Sequence, residues 1–304
     1  MYVQTSFEYE TQRENPFVCL NMMLADQREQ AEGLRPHAEI QRNVTSAIQV
    51  QKSNPAVVYS VKEVIGQGAF GEVFKVERIA DGKLFALKYV NGATVNEKQA
   101  VINEASLIAF LDSEEIIKCV DLYQYNNKIW IFLEFMENGP LTKIVVDNER
   151  RYSEKFCKYT LYKTAKGLLK MHNKNVLHRD IKSDNILSSR DGGVKLADLG
   201  FSVFLSNQEA YRKTKRGTPN WVSPEIAQGV KYSKEVDVWA FGCFAHELAT
   251  GYPPFATIRR RNELLKHIIR EPVPSIDVNR WSEDFQDFIE KCLMKSPSER
   301  YTIN

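Results

Sequence analysis

The sequence predicts an α+β fold of two lobes, a small strand-rich lobe followed by a larger helical lobe. Between residues 59 and 135, short apolar stretches alternate with turn residues, and only one helical pattern interrupts them. From Leu141 onward, the apolar residues recur mostly with the helical period of 3.6. A chain of 304 residues is long enough to bury a core in both lobes.

The small lobe begins with two strands that flank a glycine-rich turn. Residues 66–73 read GQGAFGEV, and residues 81–82 form a second turn before the apolar strand that ends at Lys88. Glycine has no Cβ, so backbone amides at this turn can approach phosphate oxygens. Dinucleotide-binding turns share the G-x-G-x-x-G pattern but lead into a helix, whereas this one leads into a strand. The pattern therefore favours a phosphate-covering hairpin.

One helix follows within the small lobe. Residues 91–111 read as a loop and then a helix with apolar positions at helical spacing, and this helix carries Glu97 and Glu104. Residues 129–133 form the last apolar strand of the lobe. Residues 134–136 then predict the hinge to the large lobe, which contains long helices at residues 156–172, 238–250 and 281–293.

A polar loop in the large lobe carries the strongest indication of chemistry. Residues 178–186 read HRDIKSDNI. Asp180 can accept a proton from an attacking hydroxyl, Lys182 can lie against a transferred phosphate, and Asn185 can hold a divalent metal through its amide oxygen. The tripeptide His-Arg-Asp alone is more typical of an ordinary surface loop. The full spacing favours phosphoryl transfer instead.

Further motifs follow in order. An apolar strand at residues 194–197 ends at Asp198, a predicted magnesium ligand, and residues 198–200 read DLG. Residues 217–225 read GTPNWVSPE, and residues 237–242 read DVWAFG. Together these segments resemble eukaryotic protein kinases from residue 59 to residue 304. The family usually has Phe at Leu199 and Ala at Ser223, and neither departure removes a group that the reaction needs.

Details of the motifs narrow the resemblance. Lys182 is typical of the serine/threonine type, and the motifs together resemble the sterile-type group, with its Rho-GTPase-activated and germinal-centre branches. The resemblance implies a kinase that transfers the γ-phosphate of ATP, with Mg²⁺, to serine or threonine hydroxyls of protein substrates. Residues 1–58 contain no I-S-x-P motif, so activation by a GTPase is not predicted.

The family motifs assign a role to each site residue. The catalytic group comprises Asp180, Lys182, Lys88 and Glu104, with Glu97 as the rival partner of Lys88. Asn185 and Asp198 are the implied metal ligands. The residues implied around ATP are Ile65, Gly66, Gln67, Gly68, Ala69, Phe70, Gly71, Val73, Ala86, Lys88, Leu133, Glu134, Met136 and Leu187. Of these, Val73, Ala86 and Leu187 enclose adenine, and Glu134 and Met136 bond its edge through backbone groups.

The resemblance also implies structural and regulatory contacts. Glu225 should form a buried ion pair with Arg300, and Asp237 should accept hydrogen bonds from the backbone of the catalytic loop. Thr214 matches the family's activating phosphorylation site, modified by an upstream kinase or by autophosphorylation, and Arg179 would anchor the phosphate.

The family resemblance also implies a contact of Thr218 and a preferred acceptor residue. The family uses the hydroxyl of Thr218 to contact the catalytic loop. A bulky residue at Phe201 predicts serine over threonine as the acceptor.

Composition sets limits on the partners. The formal net charge is +2, from 41 basic and 39 acidic residues, so neither a nucleic-acid partner nor a membrane surface is implied. The five cysteines are odd in number and form no C-x-x-C pair, which suits reduced thiols inside a cell. We expect a cytoplasmic protein, with the nucleus as the alternative compartment. The longest apolar run, residues 238–245, is too short to span a bilayer.

The predicted domain organisation has two parts. Residues 1–57 form an N-terminal extension that we expect to be flexible or to act as a docking segment. Residues 58–304 form the kinase domain, with the N-lobe at 58–135 and the C-lobe at 136–304. The family's final helix is expected to be missing, as in a fragment. A pseudokinase or scaffold and a small-molecule kinase are the alternatives.

Overall fold

The computed structural model describes residue 44 and residues 46–68, 71–90, 94–145, 152–205 and 217–303. Its small lobe contains a six-stranded sheet in the order β1-β5-β6-β4-β3-β2. The strands are β1 (Val50–Gln51), β2 (Tyr59–Gly68), β3 (Gly71–Arg78), β4 (Leu84–Val90), β5 (Cys119–Tyr125) and β6 (Lys128–Glu134). All neighbouring pairs are antiparallel except β1 with β5, which is parallel.

The described part of the large lobe is mainly helical, and short strands flank its loops. In the described residues of both lobes, the helices are α1 (Val95–Leu111), α2 (Thr142–Val145), α3 (Glu154–Asn173), α4 (Pro224–Gln228), α5 (Glu235–Thr250), α6 (Arg261–Arg270) and α7 (Glu283–Cys292). The remaining strands are β7 (Gly139–Pro140), β8 (Val176–Leu177), β9 (Ile186–Ser188), β10 (Val194–Leu196) and β11 (Val203–Phe204). The predicted two-lobed α+β fold is confirmed.

The two faces of the small-lobe sheet have different neighbours. On β4, Phe85 and Leu87 point into an aromatic cluster with Tyr59, Tyr123 and Phe132. Alternate residues of a strand point to opposite faces, so Ala86 and Lys88 lie on the other face. That face also carries the aliphatic cluster that packs against α1. Helix α1 and the cleft between the lobes therefore share one face of the sheet.

Helix α5 is the centre of the large lobe. Every residue from 236 to 249 is buried, including the charged Asp237 and Glu247. A helix that is apolar on all sides belongs inside a core, and α5 packs against both α3 and α7. The two buried carboxylates therefore need polar partners, and they find them in the catalytic loop described below.

The structure adds two features that the sequence did not predict. Residues 46–57, expected to be flexible or docking, lie on the small lobe, and β1 pairs with the edge strand β5. Helix α6 was not predicted as a separate helix. Among the described residues, no helix combines the length and apolarity needed to cross a membrane.

Candidate active site

Lys88 on β4 and Glu104 on α1 form an ion pair across the small lobe. The Nζ atom of Lys88 lies 3.1 Å from Oε1 and 3.4 Å from Oε2 of Glu104. Their side chains are 14% and 6% exposed. The rival Glu97 instead closes a capping box with Thr94 at the start of α1. The structure therefore places Glu104, and not Glu97, beside Lys88.

The charge of Lys88 is stabilised by two carboxylates. Burial disfavours the ammonium, but Glu104 and then Asp198 outweigh that effect, and the pKa of Lys88 is raised. Lys88 therefore stays positively charged at physiological pH. Asp198 also acts to raise the pKa of Lys182, so the same carboxylate stabilises cations of both lobes.

The catalytic loop gathers its polar groups around Asp180. The amide nitrogen of Asn185 donates to the backbone carbonyl of Asp180 at 2.7 Å and to its carboxylate at 2.8 Å. Lys182 Nζ lies 3.1 Å from the same carboxylate. The hydroxyl of Thr218 donates to Asp180 at 2.6 Å and accepts from Lys182 at 2.6 Å. The expected contact between Thr218 and the catalytic loop is therefore present.

The start of the loop is held from inside the core. Asp237 accepts hydrogen bonds from the backbone amides of His178 and Arg179, both at 2.8 Å, and contacts His172 Nε2 at 2.9 Å. Arg179 has a φ of 67°, a left-handed conformation that non-glycine residues seldom adopt. The buried carboxylate stabilises this bend, because it accepts the amide protons of Arg179 and of the residue before it. The sequence predicted this contact of Asp237.

Asp180 remains ionised despite its burial. Burial acts to raise its pKa, but the charge of Lys182 and the hydroxyl of Thr218 outweigh it, so that the pKa of Asp180 is lowered. A carboxylate of low pKa is a weak base. Asp180 is therefore better suited to orienting an acceptor hydroxyl than to removing its proton early in the reaction.

The expected metal ligands fit a hard divalent cation. The amide nitrogen of Asn185 donates to Asp180, which leaves its Oδ1 atom as the group that could bind a cation. Asp198 supplies a half-buried carboxylate at the end of β10. Its φ of 58° turns the chain sharply after the strand. Carboxylate and amide oxygens are ligands that Mg²⁺ prefers.

The expected nucleotide contacts on β3, β4 and β6 share one face of the small-lobe sheet. In the strand register, Val73 lies opposite Lys88, and Ala86 lies opposite Leu133. Residues opposite one another in an antiparallel pair share a face, so these four side chains line one patch of the sheet. The remaining expected contact, Leu187, lies on β9 of the large lobe.

The hinge backbone can meet the edge of adenine. The amide of Glu134 donates to the carbonyl of Lys118 at 3.0 Å. We therefore expect the carbonyl of Glu134, and not its amide, to contact the nucleotide. The carbonyl of Met136 accepts a hydrogen bond from the amide of Gly139 at 3.0 Å. We therefore expect the amide of Met136 to donate to the nucleotide.

The glycine-rich hairpin follows the predicted strand-turn-strand order. Gly66 pairs with Val73, and Gly68 pairs with Gly71. A Cβ added at Gly66 would meet no other atom within 4 Å, so the backbone borders open space there. Ile65 and Gln67 lie on the same strand, whereas Ala69 and Phe70 lie outside the described residues.

Sequence reasoning missed Glu247 and the pair of Glu134 with Lys195. Glu247 on α5 accepts hydrogen bonds from the hydroxyl of Ser183 at 2.5 Å and its amide at 3.3 Å. Burial raises the pKa of Glu247 to about 7. A glutamate within a mostly apolar helix could have indicated that Glu247 has a buried polar partner. Lys195 Nζ lies 2.8 Å from the hinge residue Glu134.

The predicted structural ion pair of the large lobe is present. Arg300 donates to both carboxylate oxygens of Glu225, at 2.6 and 2.8 Å, and both residues are buried. Thr214, the expected phosphorylation site, lies outside the described residues. Its expected anchor Arg179 donates to the carbonyl of Phe201 at 2.7 Å and to the hydroxyl of Tyr232 at 3.1 Å.

Comparisons with known proteins agree with this geometry. The family model described as protein kinase domain matches residues 59–304. The serine/threonine-protein kinases pakB and dst1 of Dictyostelium discoideum are 37% and 36% identical to the chain over 238 and 258 residues. These matches cover 78% and 84% of this chain but only 28% and 34% of the two relatives.

A solved structure is similar as well. The twitchin kinase region from C. elegans superposes with a TM-score of 0.76 at 29% identity. The match covers 84% of this chain and 46% of that one. The resemblance to serine/threonine protein kinases is therefore confirmed.

Proposed function

This chain belongs to the protein kinase family, and we propose that it transfers the γ-phosphate of ATP to serine and threonine hydroxyls of proteins. One observation carries the proposal. Asn185, Lys182 and Thr218 each contact the carboxylate of Asp180. The groups that an acceptor hydroxyl and a phosphate need nearby therefore lie beside one another. The names of the two Dictyostelium relatives support the serine/threonine specificity.

In the proposed mechanism, the residues position and neutralise charge. Lys88, fixed by Glu104, orients the α- and β-phosphates under the glycine-rich hairpin. Asp198 and Asn185 would hold Mg²⁺, which when bound neutralises charge on the phosphates. Asp180 accepts a hydrogen bond from the acceptor hydroxyl and takes its proton as the phosphate is transferred. Lys182 offsets the negative charge on the γ-phosphate.

Phosphorylation of Thr214 would activate the enzyme in this scheme. A phosphate adds about −1.5 to −2 charges and can form ~1–3 charge-assisted hydrogen bonds. Arg179 precedes Asp180 directly, so a phosphate bound to Arg179 would couple the threonine to the catalytic carboxylate. Either an upstream kinase or autophosphorylation could supply the phosphate.

We also propose that the chain acts inside the cell, in the cytoplasm or the nucleus. Cys119, Cys157, Cys243 and Cys292 are free thiols in the structure, which suits a reducing compartment.

Two rival functions are less well supported. A pseudokinase or scaffold would keep the fold without the chemistry, yet Lys88, Asp180, Asn185 and Asp198 are all retained. A small-molecule kinase is disfavoured because the substrate-side segment at residues 217–225 matches that of protein kinases.

The test is a radiolabelled ATP assay with a library of serine and threonine peptides. The wild type should label peptides, and Asp180→Asn should lower kcat by about 10²–10⁴-fold while it leaves ATP binding intact. Binding of MgATP without labelling of any peptide by the phosphorylated wild type would favour the scaffold. Labelling of a metabolite instead of peptides would favour the small-molecule kinase.

A further inference from the structure

The residues just before the family-matched region add an edge to the small-lobe sheet. The match begins at residue 59, whereas β1 lies at Val50–Gln51. β1 runs parallel to β5, with Val50 opposite Leu122. We call Val44 together with residues 46–52 the N-terminal strap. The strap covers the β5 edge of the sheet, whose backbone groups would otherwise face solvent.

The strap has an inner and an outer face. Ile48 and Val50 are partly buried and pack against the aliphatic cluster between the sheet and α1. Gln49 lies between them and is exposed. That cluster includes Val101 and Ala105 of α1. The strap therefore closes the same apolar cluster that seats the helix on the sheet.

The start of the strap is buried in the main apolar core. Val44 is 6% exposed and belongs to the same core cluster as Leu107, Ile108 and Leu111. These three residues form the last turns of the helix. The strap therefore contributes to the apolar cluster beside the middle of α1 and to the core cluster that includes its C-terminal end.

Polar contacts fix the other end of the strap. Gln51 donates to the carboxylate of Asp121 on β5 at 3.1 Å, and Tyr59 donates to the second oxygen of the same carboxylate. Lys52 donates to Gln124 at 2.8 Å. The strap and the start of β2 are therefore joined to β5 through one carboxylate. Side-chain bonds of this kind fix the register of a short strand that has few backbone bonds of its own.

Glu104 lies within the stretch of α1 that the strap supports. Ala105 follows it directly and Val101 lies one turn before it, and both share the cluster closed by Ile48 and Val50. We propose that the N-terminal strap positions α1, so that the Lys88–Glu104 pair forms only while the strap is docked. This proposal rests on the kinase activity proposed above. It makes Ile48 and Val50 positioning residues for phosphoryl transfer.

Small displacements of α1 should have large effects on the reaction. The ion pair joins two elements, β4 and α1, so a shift of either element changes the distance between its two charges. A displacement of about 1 Å at a positioning group can lower a rate by about 100-fold. An undocked strap would expose the cluster next to Val101 and let the helix shift away from the sheet.

The first experiment measures the helix directly in the full chain. Amide hydrogen exchange in α1 is compared among wild type, Ile48→Asp and Gln49→Asp. The two variants add the same charge at adjacent positions on opposite faces of the strap. We expect faster exchange in α1 for Ile48→Asp alone, with α3 and α5 unchanged. Ile48→Ala serves as a milder variant if Ile48→Asp does not fold.

The second experiment separates positioning from general stability. Ile48→Asp should lower kcat by about 10–100-fold at a temperature well below its unfolding midpoint, whereas Ile48→Val and Gln49→Asp should match wild type. In a Glu104→Gln background, the further loss from Ile48→Asp should disappear, because both changes break the same pair. A merely structural role would lower the rate by the same factor in both backgrounds.

The outcomes distinguish this proposal from the proposed function. If Ile48→Asp and Gln49→Asp behave alike in exchange and in kcat, the strap has no positioning role. If the effect of Ile48→Asp persists fully with Glu104→Gln, the strap does not act through the ion pair. If wild type is inactive but α1 exchange depends on Ile48, the kinase function fails while the docking of the strap stands.

Discussion

The catalytic loop in the large lobe and the Lys88–Glu104 pair in the small lobe reach the same cleft, but different contacts hold them there. The loop is bonded to two buried carboxylates of one central helix, Asp237 and Glu247. Lys88 is paired with the carboxylate of Glu104 on α1, a helix whose position depends on apolar packing. The acceptor side of the site is therefore fixed by the core, and the nucleotide side can be altered by a shift of one helix.

The largest expected effect tests the nucleotide side. Lys88→Met keeps an apolar stem of similar length but removes the charge that orients the phosphates, so transfer should fall by about 10²–10³-fold or more with the fold intact. Peptide labelling measures the rate of transfer, and far-ultraviolet circular dichroism shows whether the fold is intact. Lys62→Met, an exposed lysine of the same lobe, is the control and should retain full activity. Activity of a folded Lys88→Met within tenfold of wild type would remove Lys88 from the mechanism.

The buried ion pair between Arg300 and Glu225 should contribute strongly to the stability of the large lobe, which holds the acceptor side of the site. Arg300→Met leaves Glu225 buried and uncompensated, so the free energy of unfolding should fall by about 3–5 kcal/mol. The double variant Glu225→Gln with Arg300→Met should lose less than the sum of the single losses, because no charge is left alone. Denaturant unfolding monitored by tryptophan fluorescence measures all three variants. Strictly additive losses would contradict the pairing.

Glu247 predicts a pH dependence of the same region. Its pKa is raised from 4.5 to about 7, so the folded state keeps a proton that the unfolded chain has lost. The stability from this group is present at low pH and is lost as pH rises from about 4.5 to 7, by roughly 3 kcal/mol. Unfolding free energies of wild type and Glu247→Gln across that window test it. The difference between them should change with pH, whereas exposed Glu290→Gln should follow wild type. A constant difference would contradict the raised pKa.

The smallest effect concerns the choice of acceptor. Phe201 lies just after Gly200, in the 3-10 turn that begins at Leu199, and the family resemblance links a bulky residue there with serine. Peptide pairs that differ only in the acceptor hydroxyl should show a serine preference in kcat/KM. Equal rates, or a preference for threonine, would refute the link to Phe201.

Much of the fold and of the site could be predicted because the informative residues are local in sequence. The spacing of Asp180, Lys182 and Asn185 sets their geometry within one short loop, and the apolar periods gave the main helices and strands. The partner of Lys88 could be chosen between Glu97 and Glu104 only through the family spacing. The capping box at the start of α1 gives the physical reason for that choice.

The features that were missed depend on contacts between distant residues. The strap has a polar composition, and Ile48 and Val50 are too few to indicate a strand until the β5 edge is available to pair with them. The bond of Glu247 to Ser183 joins residues 64 positions apart, and no local pattern encodes it. Helix α6 at Arg261–Arg270 begins without a side-chain N-cap, which removes the usual sequence signal for a helix start.

The most direct test of the proposed function is to count phosphoserine formed against ADP released by the phosphorylated wild type and by Asp180→Asn. If the chain is a serine/threonine kinase, the two products of the wild type should be equal. In Asp180→Asn both should fall together, by about 10²–10⁴-fold, at saturating MgATP. Release of ADP by wild type without phosphoserine or phosphothreonine, or equal transfer by the two proteins, would contradict the role assigned to the catalytic loop.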